Sequence, residues 1–332
     1  MIGQPETVRT VQSASPGASI INVNSTLTVA PLAGGTYNSG FGESGFDGSI
    51  SGSGTVRMNG TGTYGMLGGN SVANLVVNSG TLKVNGNSGT GAVTVNPGGT
   101  LLGAGVIEGA VAVAGGGTIG AGFSAGRLIL SAGLDLSAGG NGPTNVWELA
   151  ALKDSGTGVA GADFDQIVLS GGALALGAQA TLDLRFIGSA TAPDTNSPFW
   201  QSAHTWRVIS LSGGSNPGTS TFGRVKNGSY AAGNFTAAGD GGGNIVLSFT
   251  PNAGPPPVAY PRILSITNAS PGSMTVSYTN TLAGTNYTLA YATNLPATNW
   301  HPAGTRTAPG TSDFQTDTSA SNSQRYYRVY YP

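Results

Sequence analysis

Three stretches of this chain repeat one another, and the repeat limits what it can fold into. They are Val77-Asn78-Ser79-Gly80-Thr81-Leu82, Val95-Asn96-Pro97-Gly98-Gly99-Thr100-Leu101 and Val113-Ala114-Gly115-Gly116-Gly117-Thr118-Ile119. Each runs from a β-favouring residue through a small polar turn to a Thr followed by an aliphatic residue. The aliphatic anchors Leu82, Leu101 and Ile119 lie 19 and 18 residues apart. Fainter copies occur at Ser53–Val56, Leu130–Leu134 and Leu169–Leu174. Between anchors the side chains alternate, with Ala92, Thr94 and Asn96 set against Val93 and Val95, which is strand patterning. One short strand and one turn cannot bury an apolar face alone. Stacked coils can, because their aliphatic side chains line a shared interior while the backbones pair with the coils above and below.

The period therefore predicts an all-β fold, a parallel β-solenoid (β-helix) rising ~4.8 Å per coil. Composition agrees. Of 332 residues 56 are glycine, and glycine takes the tight corners where a Cβ clashes. The glycines lack the Gly-X-Y period of collagen. Charged residues make up 8% and net charge is −1, so the clustered cations that nucleic-acid binding needs are missing. There is no cysteine, so hydrogen-bond ladders and packing hold the fold. No apolar run approaches the ~18–20 residues of a membrane-spanning helix.

After Asn141 the repeat loosens, and strands are expected at Val146–Leu152, Gln166–Leu169, Ala180–Ile187, Thr205–Leu211 and Asn244–Thr250. Asp240-Gly241-Gly242-Gly243-Asn244 is a tight-turn signal. Irregular connections such as Gly188–Ser202 suggest a wider final section covering the end of the solenoid. The run Pro251-Asn252-Ala253-Gly254-Pro255-Pro256-Pro257 reads as a semi-rigid linker. Beyond it lie eight of the eleven tyrosines, on strands expected at Arg262–Thr267, Ser273–Thr279, Asn286–Ala292, Ser312–Asp317 and Arg325–Tyr331. That spacing fits a small β-sandwich of the fibronectin type III kind. The expected domains are a docking or donor segment over 1–30, the solenoid over 31–250, the linker over 251–257 and the fibronectin-like sandwich over 258–332.

The segment from Asn74 to Gly122 resembles the autotransporter-associated β-strand repeat. The stretches Phe199–Ile209, Val225–Tyr230 and Asn244–Pro251 look like the section that commonly follows such repeats in large secreted or surface proteins of the Verrucomicrobia type. The module carrying Tyr287–Leu295, Trp300 and Arg325–Val329 is similar to the fibronectin-like terminal modules of the same proteins. The resemblance implies a surface or secreted β-helix and transfers no catalytic residue. A translocating outer-membrane barrel, with its many amphipathic strands and aromatic girdle, is not found in this sequence.

Residues able to carry chemistry are few. The two histidines, His204 and His301, fall in different expected domains and neither has a second histidine at metal spacing. His204, between Trp200 and Trp206, reads as a partly buried packing residue. Asp163 and Asp165 share a face if extended, which suits a calcium site or a glycosidase-like pair; the plainer reading has them capping a turn before Gln166. Glu148, Asp154 and Asp183 stand alone in sequence. No Gly-Lys-Ser/Thr phosphate loop occurs. Tyr287 and Tyr291, with Trp300, are expected in the core. Tyr326, Arg328 and Tyr330 share one strand face, and Tyr327, Val329 and Tyr331 the other; one face is core and the other is open to a sugar or a neighbouring subunit.

These features predict a non-enzymatic extracellular structural protein with no cofactor, whose partners are copies of itself in a head-to-tail fibre. A solenoid has two open ends whose unpaired strands template addition, and so little charge leaves them unblunted. The expected contacts are Ile21, Val23, Leu27 and Val29 at one end and Tyr330 and Tyr331 at the other. Two other readings stand beside it: a monomeric surface adhesin or polysaccharide-binding passenger, and a β-helical polysaccharide lyase or hydrolase, which the scarcity of carboxylates disfavours. Met1–Gln12 lacks a charged-then-apolar secretion signal, so the expectation is a chain trimmed from a precursor or cut from a longer protein.

Overall fold

The computed structural model describes residues 1–8, 20–31, 45–46, 49–89, 91–218, 220–252, 260–321 and 324–331. They form two units, Met1–Asn252 and Ala253–Pro332. Both are built from β-strands, and the described residues include a single helical turn, a 3-10 turn at Phe199–Gln201.

The first unit is a curled parallel sheet of the β-helix kind, with strands stacked in columns. One interior ladder rises through Leu27, Val56, Leu75, Val93, Val111, Leu134 and Leu174, each paired with the next. All seven are buried. The second column holds the repeat's signature. Thr63, Thr81, Thr100, Thr118, Thr144 and Thr181 pair in register on its outer side. Beside them Tyr64, Leu82, Leu101, Ile119, Asn145 and Leu182 point inward and are buried. β-Branched residues favour a pleated surface, and stacked threonines cover it while leaving a hydroxyl for water.

A third column contains Val106–Ile107, Arg127–Leu130, Gln166–Leu169 and His204–Leu211. Here the parallel stacking stops. Ile245–Pro251 pairs antiparallel with His204–Leu211, followed by Gly233–Gly239 and Ser229–Tyr230. The Asp240–Asn244 turn closes one of these hairpins, with the Asp240 amide donating to the Asn244 carbonyl. At the same end the second column finishes on Arg224–Lys226.

Within the expected 1–30 segment, Glu6–Val8 pairs with Thr26–Val29, which pairs with the long strand Ser49–Met66. Leu27 and Val29 therefore continue the interior ladders of the repeat. At the far end the three columns finish on Leu174–Leu176, an apolar strand paired with Leu134–Leu136, on the charged three-residue edge Arg224–Lys226 and on the two-residue Ser229–Tyr230; the last two are poor templates for addition.

Glycine is required where coils approach closely. At Gly103 φ is +147°, and a Cβ would lie 2.0 Å from the Val84 carbonyl oxygen of the preceding coil. Gly116, also left-handed at φ +84°, faces open space apart from Pro97, 3.6 Å away.

The second unit has two three-stranded antiparallel sheets. One is ordered Arg262–Ser270, Ser273–Thr279, Ser312–Asp317; the other His301–Thr307, Asn286–Ala292, Tyr326–Tyr330. Val276, Tyr278, Tyr287, Leu289 and Ala308 form its buried core. The His301–Thr307 strand was not expected from sequence; its Pro302 and Gly304 break the usual strand signals.

Candidate functional site

Several ionisable side chains of the first unit, among them Glu148, Lys153, Asp154, Asp163, Asp165 and His204, lie on or beside an excursion between Leu149 and Gln166. The chain leaves the second column at Leu149 and returns at Phe164, which bridges back to Leu149. Asp163 accepts from Lys153 Nζ at 3.2 Å and from the Val159 amide at 2.8 Å. Asp165 accepts instead from the amides of Gly126, at 2.8 Å, and Glu148, at 3.0 Å. The two carboxylates therefore hold different pieces of backbone. No group of three or more metal-ligating side chains occurs among the described residues. Burial pushes the Asp165 carboxyl well above the usual range and also raises Glu148.

Next to the excursion lies an aromatic cluster. Trp147, Trp200 and Trp206 are buried, and Phe235 and Phe249 pack edge-on or tilted against Trp200. Phe199 stacks on the His204 ring at 3.7 Å between centroids, nearly parallel. His204 Nδ1 lies 3.0 Å from Asp154 Oδ2, and Nε2 lies 2.7 Å from the Phe199 carbonyl oxygen. With both nitrogens engaged, the ring has no free lone pair for a substrate proton. His204 is thus a tie between the excursion and the aromatic cluster, and its Asp154 partner could not be read from sequence because fifty residues separate them.

The His204 hydrogen bond holds the Asp154 carboxyl below its ordinary value of 3.8. A depressed carboxyl contributes stability above the unfolded pKa and loses it as pH falls through the folded one. The melting temperature of the first unit is accordingly expected to drop as pH falls below about 3.8. Asp154→Asn should flatten that acid limb, as measured by thermal unfolding followed by tryptophan fluorescence. An unchanged limb would exclude this tie.

A cleft of about 270 Å³ opens beside the excursion, lined by Ser155, Phe164, Gln166, Thr205, Arg207 and Val246 with two small residues. None of the described residues lining it is a carboxylate or a histidine. Arg207, its cation, faces Asp240 at 3.8 Å. The cleft therefore lacks the paired acids of glycoside hydrolysis.

The expected contact residues fall in two different settings. Val23, Leu27 and Val29 are buried in their own unit's core, and Ile21 packs against it half-buried. The strand edge presented at that end is Glu6–Val8, which pairs only with Thr26–Val29 among the described residues. Residues 9–19 of the expected donor segment lie outside the described residues. In the second unit Tyr331 packs on the core, 6.0 Å from the Tyr287 ring. Tyr330 lies on the outer face, with the Arg328 guanidinium 4.7 Å from its ring centroid. Tyr287 is buried as expected from sequence. Trp300 is not part of the core: it is half-buried, with the Arg328 guanidinium 4.6 Å from its ring centroid. Tyr291 is half-buried, with the Arg325 guanidinium 3.7 Å from its ring. Arg325 also bonds Asp317, and Tyr327 donates to the same carboxylate at 3.0 Å. Burial and the Asp317 charge push the Tyr327 phenol up to about 12.

No protein-family model matches the chain. Over 80 residues, 23% of its length, it is 46% identical to the protein named adhesin BmaC autotransporter of Brucella suis biovar 1 (strain 1330). The chain spans about 2% of that protein's length. No helix of the described residues is long and apolar enough to cross a membrane.

Proposed function

We propose that this chain is a non-enzymatic, surface-exposed adhesin-like passenger. In this reading the first unit is a β-helical spacer and the second a small fibronectin-like sandwich. The supporting observation is the stretch 46% identical to an adhesin autotransporter. The parallel columns and the carboxylate-free cleft suit a spacer better than a catalyst. The passenger reading also accommodates two of the three columns at the far end, where antiparallel hairpins and the short charged Arg224–Lys226 edge leave little strand to template another copy.

The fibre reading keeps one specific support. The outer edge of Glu6–Val8 has no strand partner among the described residues, and such an edge accepts strand addition.

One pair of measurements separates these readings. Displayed on a non-adherent bacterium, the full chain is expected to raise attachment to glass or epithelial monolayers above that of the carrier alone. Electron microscopy of the purified chain is expected to show single rods. Attachment no greater than the carrier's overturns the adhesin reading, and rods joined end to end replace it with the fibre.

A further inference from the structure

The second unit carries an arginine whose chemistry its own fold does not use. Strand alternation places Tyr327 and Val329 toward the core, where both pack together with Tyr331. Tyr326, Arg328 and Tyr330 therefore lie on the opposite face. There Arg328 is exposed, with its guanidinium over the Trp300 ring at 4.6 Å and over the Tyr330 ring at 4.7 Å from their centroids. A stacked guanidinium engages aromatic faces through its own plane, while its N–H donors point outward along the edge of that plane. Those donors suit the two oxygens of a carboxylate.

The unit itself has no carboxylate to offer. Between residues 253 and 332 the only acidic side chains are Asp313 and Asp317. Arg306 holds Asp313 at 3.1 Å, and Arg325 holds Asp317. Both acids are buried with these partners. Arg328 has no salt-bridge partner among the described residues, although its stacking on two rings fixes it in place. An ordered, exposed guanidinium framed by aromatic surface has already lost much of the side-chain entropy that a flexible surface cation would lose on binding.

We propose that Trp300, Arg328 and Tyr330 form a docking site for a carboxylate-bearing polysaccharide, a polyuronate. The guanidinium takes the sugar carboxylate, and the solvent-facing parts of the half-buried Trp300 and Tyr330 rings take the apolar face of a sugar ring. Neutral hydroxyls complete the surroundings. Tyr326 lies on the same face, and on neighbouring strands Thr288 and Thr305 bond each other at 2.9 Å. One cation among neutral polar and aromatic groups fits a polymer with one charge per sugar. Nucleic acid requires several clustered cations to neutralise successive phosphates. The proposal takes from the adhesin reading only the setting in which such a polymer is met.

The test is affinity electrophoresis of the full chain in gels containing polygalacturonate, its methyl ester or dextran sulfate. Polygalacturonate is expected to retard the chain and the uncharged ester to leave it unretarded. Arg328→Gln should weaken retardation about tenfold or more, the scale of a lost hydrogen bond to a charged group. Arg328→Lys should recover only part of the loss, because an ammonium lacks the planar fork. Arg262→Gln removes the same charge from an exposed strand of the other sheet and should change nothing. Equal retardation by the ester, equal losses from Arg262→Gln and Arg328→Gln, or a chain unretarded by polygalacturonate would each overturn the site. So would dextran sulfate retardation that matches polygalacturonate and ignores Arg328→Gln. The gel uses purified chain and does not depend on cell attachment, so failure here leaves the adhesin reading to its own test.

Discussion

Gly103→Ala is expected to destabilise the first unit by about 3 kcal/mol or more, placing it among the severe single substitutions. Two effects combine. The left-handed backbone disfavours any Cβ by about 1–2 kcal/mol. The new atom would also lie 2.0 Å from the Val84 carbonyl oxygen, and that oxygen belongs to backbone that cannot swing aside. Relief requires the two coils to separate, which breaks ladder bonds between them. Gly116→Ala supplies the control. Its backbone is also at positive φ, +84°, but its nearest neighbour is the Pro97 Cβ at 3.6 Å, so only the first effect remains, about 1–2 kcal/mol. Thermal or urea unfolding followed by tryptophan fluorescence reads both, because Trp147, Trp200 and Trp206 all lie in this unit. Equal midpoint shifts for the two variants would rule out coil contact as the cause.

Asp165→Ala is the second large effect, expected at about 2–5 kcal/mol. The carboxylate satisfies the amides of Gly126 and Glu148, and leaving a buried donor unpaired costs about 1–3 kcal/mol each. Asp165→Asn keeps one acceptor oxygen and should cost less. It also carries a pH signature. Burial raises the Asp165 carboxyl, so the folded chain holds its proton more tightly than the unfolded chain does. Stability from this group is complete below the unfolded pKa and declines as pH rises through the folded one. The asparagine variant should therefore lose less stability than wild type between pH 4 and neutrality. A constant difference across that range would contradict a buried, proton-holding carboxyl. This slope runs opposite to that of Asp154, so the two variants distinguish an acid governed by desolvation from one governed by its His204 partner.

Sequence and structure agree most closely where the repeat spacing stays constant. Thr81, Thr100 and Thr118 form a ladder legible from the Thr-aliphatic motif alone. Thr144 and Thr181 extend the same ladder, yet the chain between them detours through the excursion after Leu149 and the third column, so no fixed interval reveals them. The first coils were hidden for a related reason. Leu27 sits on the repeat's interior ladder without its glycine turn, and Val56 carries only a faint copy of the motif, Ser53-Gly54-Thr55-Val56. Side-chain partnerships were less legible than strands. His204 meets Asp154, and Trp300 meets Arg328, across distances in sequence that only the folded topology closes. Alternation did separate the two faces of Tyr326–Tyr331, but not which of them was core. That depended on where Tyr287 and Leu289 of the neighbouring strand point.

The columns also decouple the length of the rod from its chemistry. Each coil touches only the coils on either side, and the antiparallel hairpins close the far end by pairing with a single strand, His204–Leu211. A duplicated coil inserted among the Thr-aliphatic repeats would lengthen the structure by one strand spacing, ~4.8 Å, and leave both extremities chemically unchanged. The height of the stack is therefore a quantity that gene duplication can adjust in small equal steps, without redesigning either of its ends.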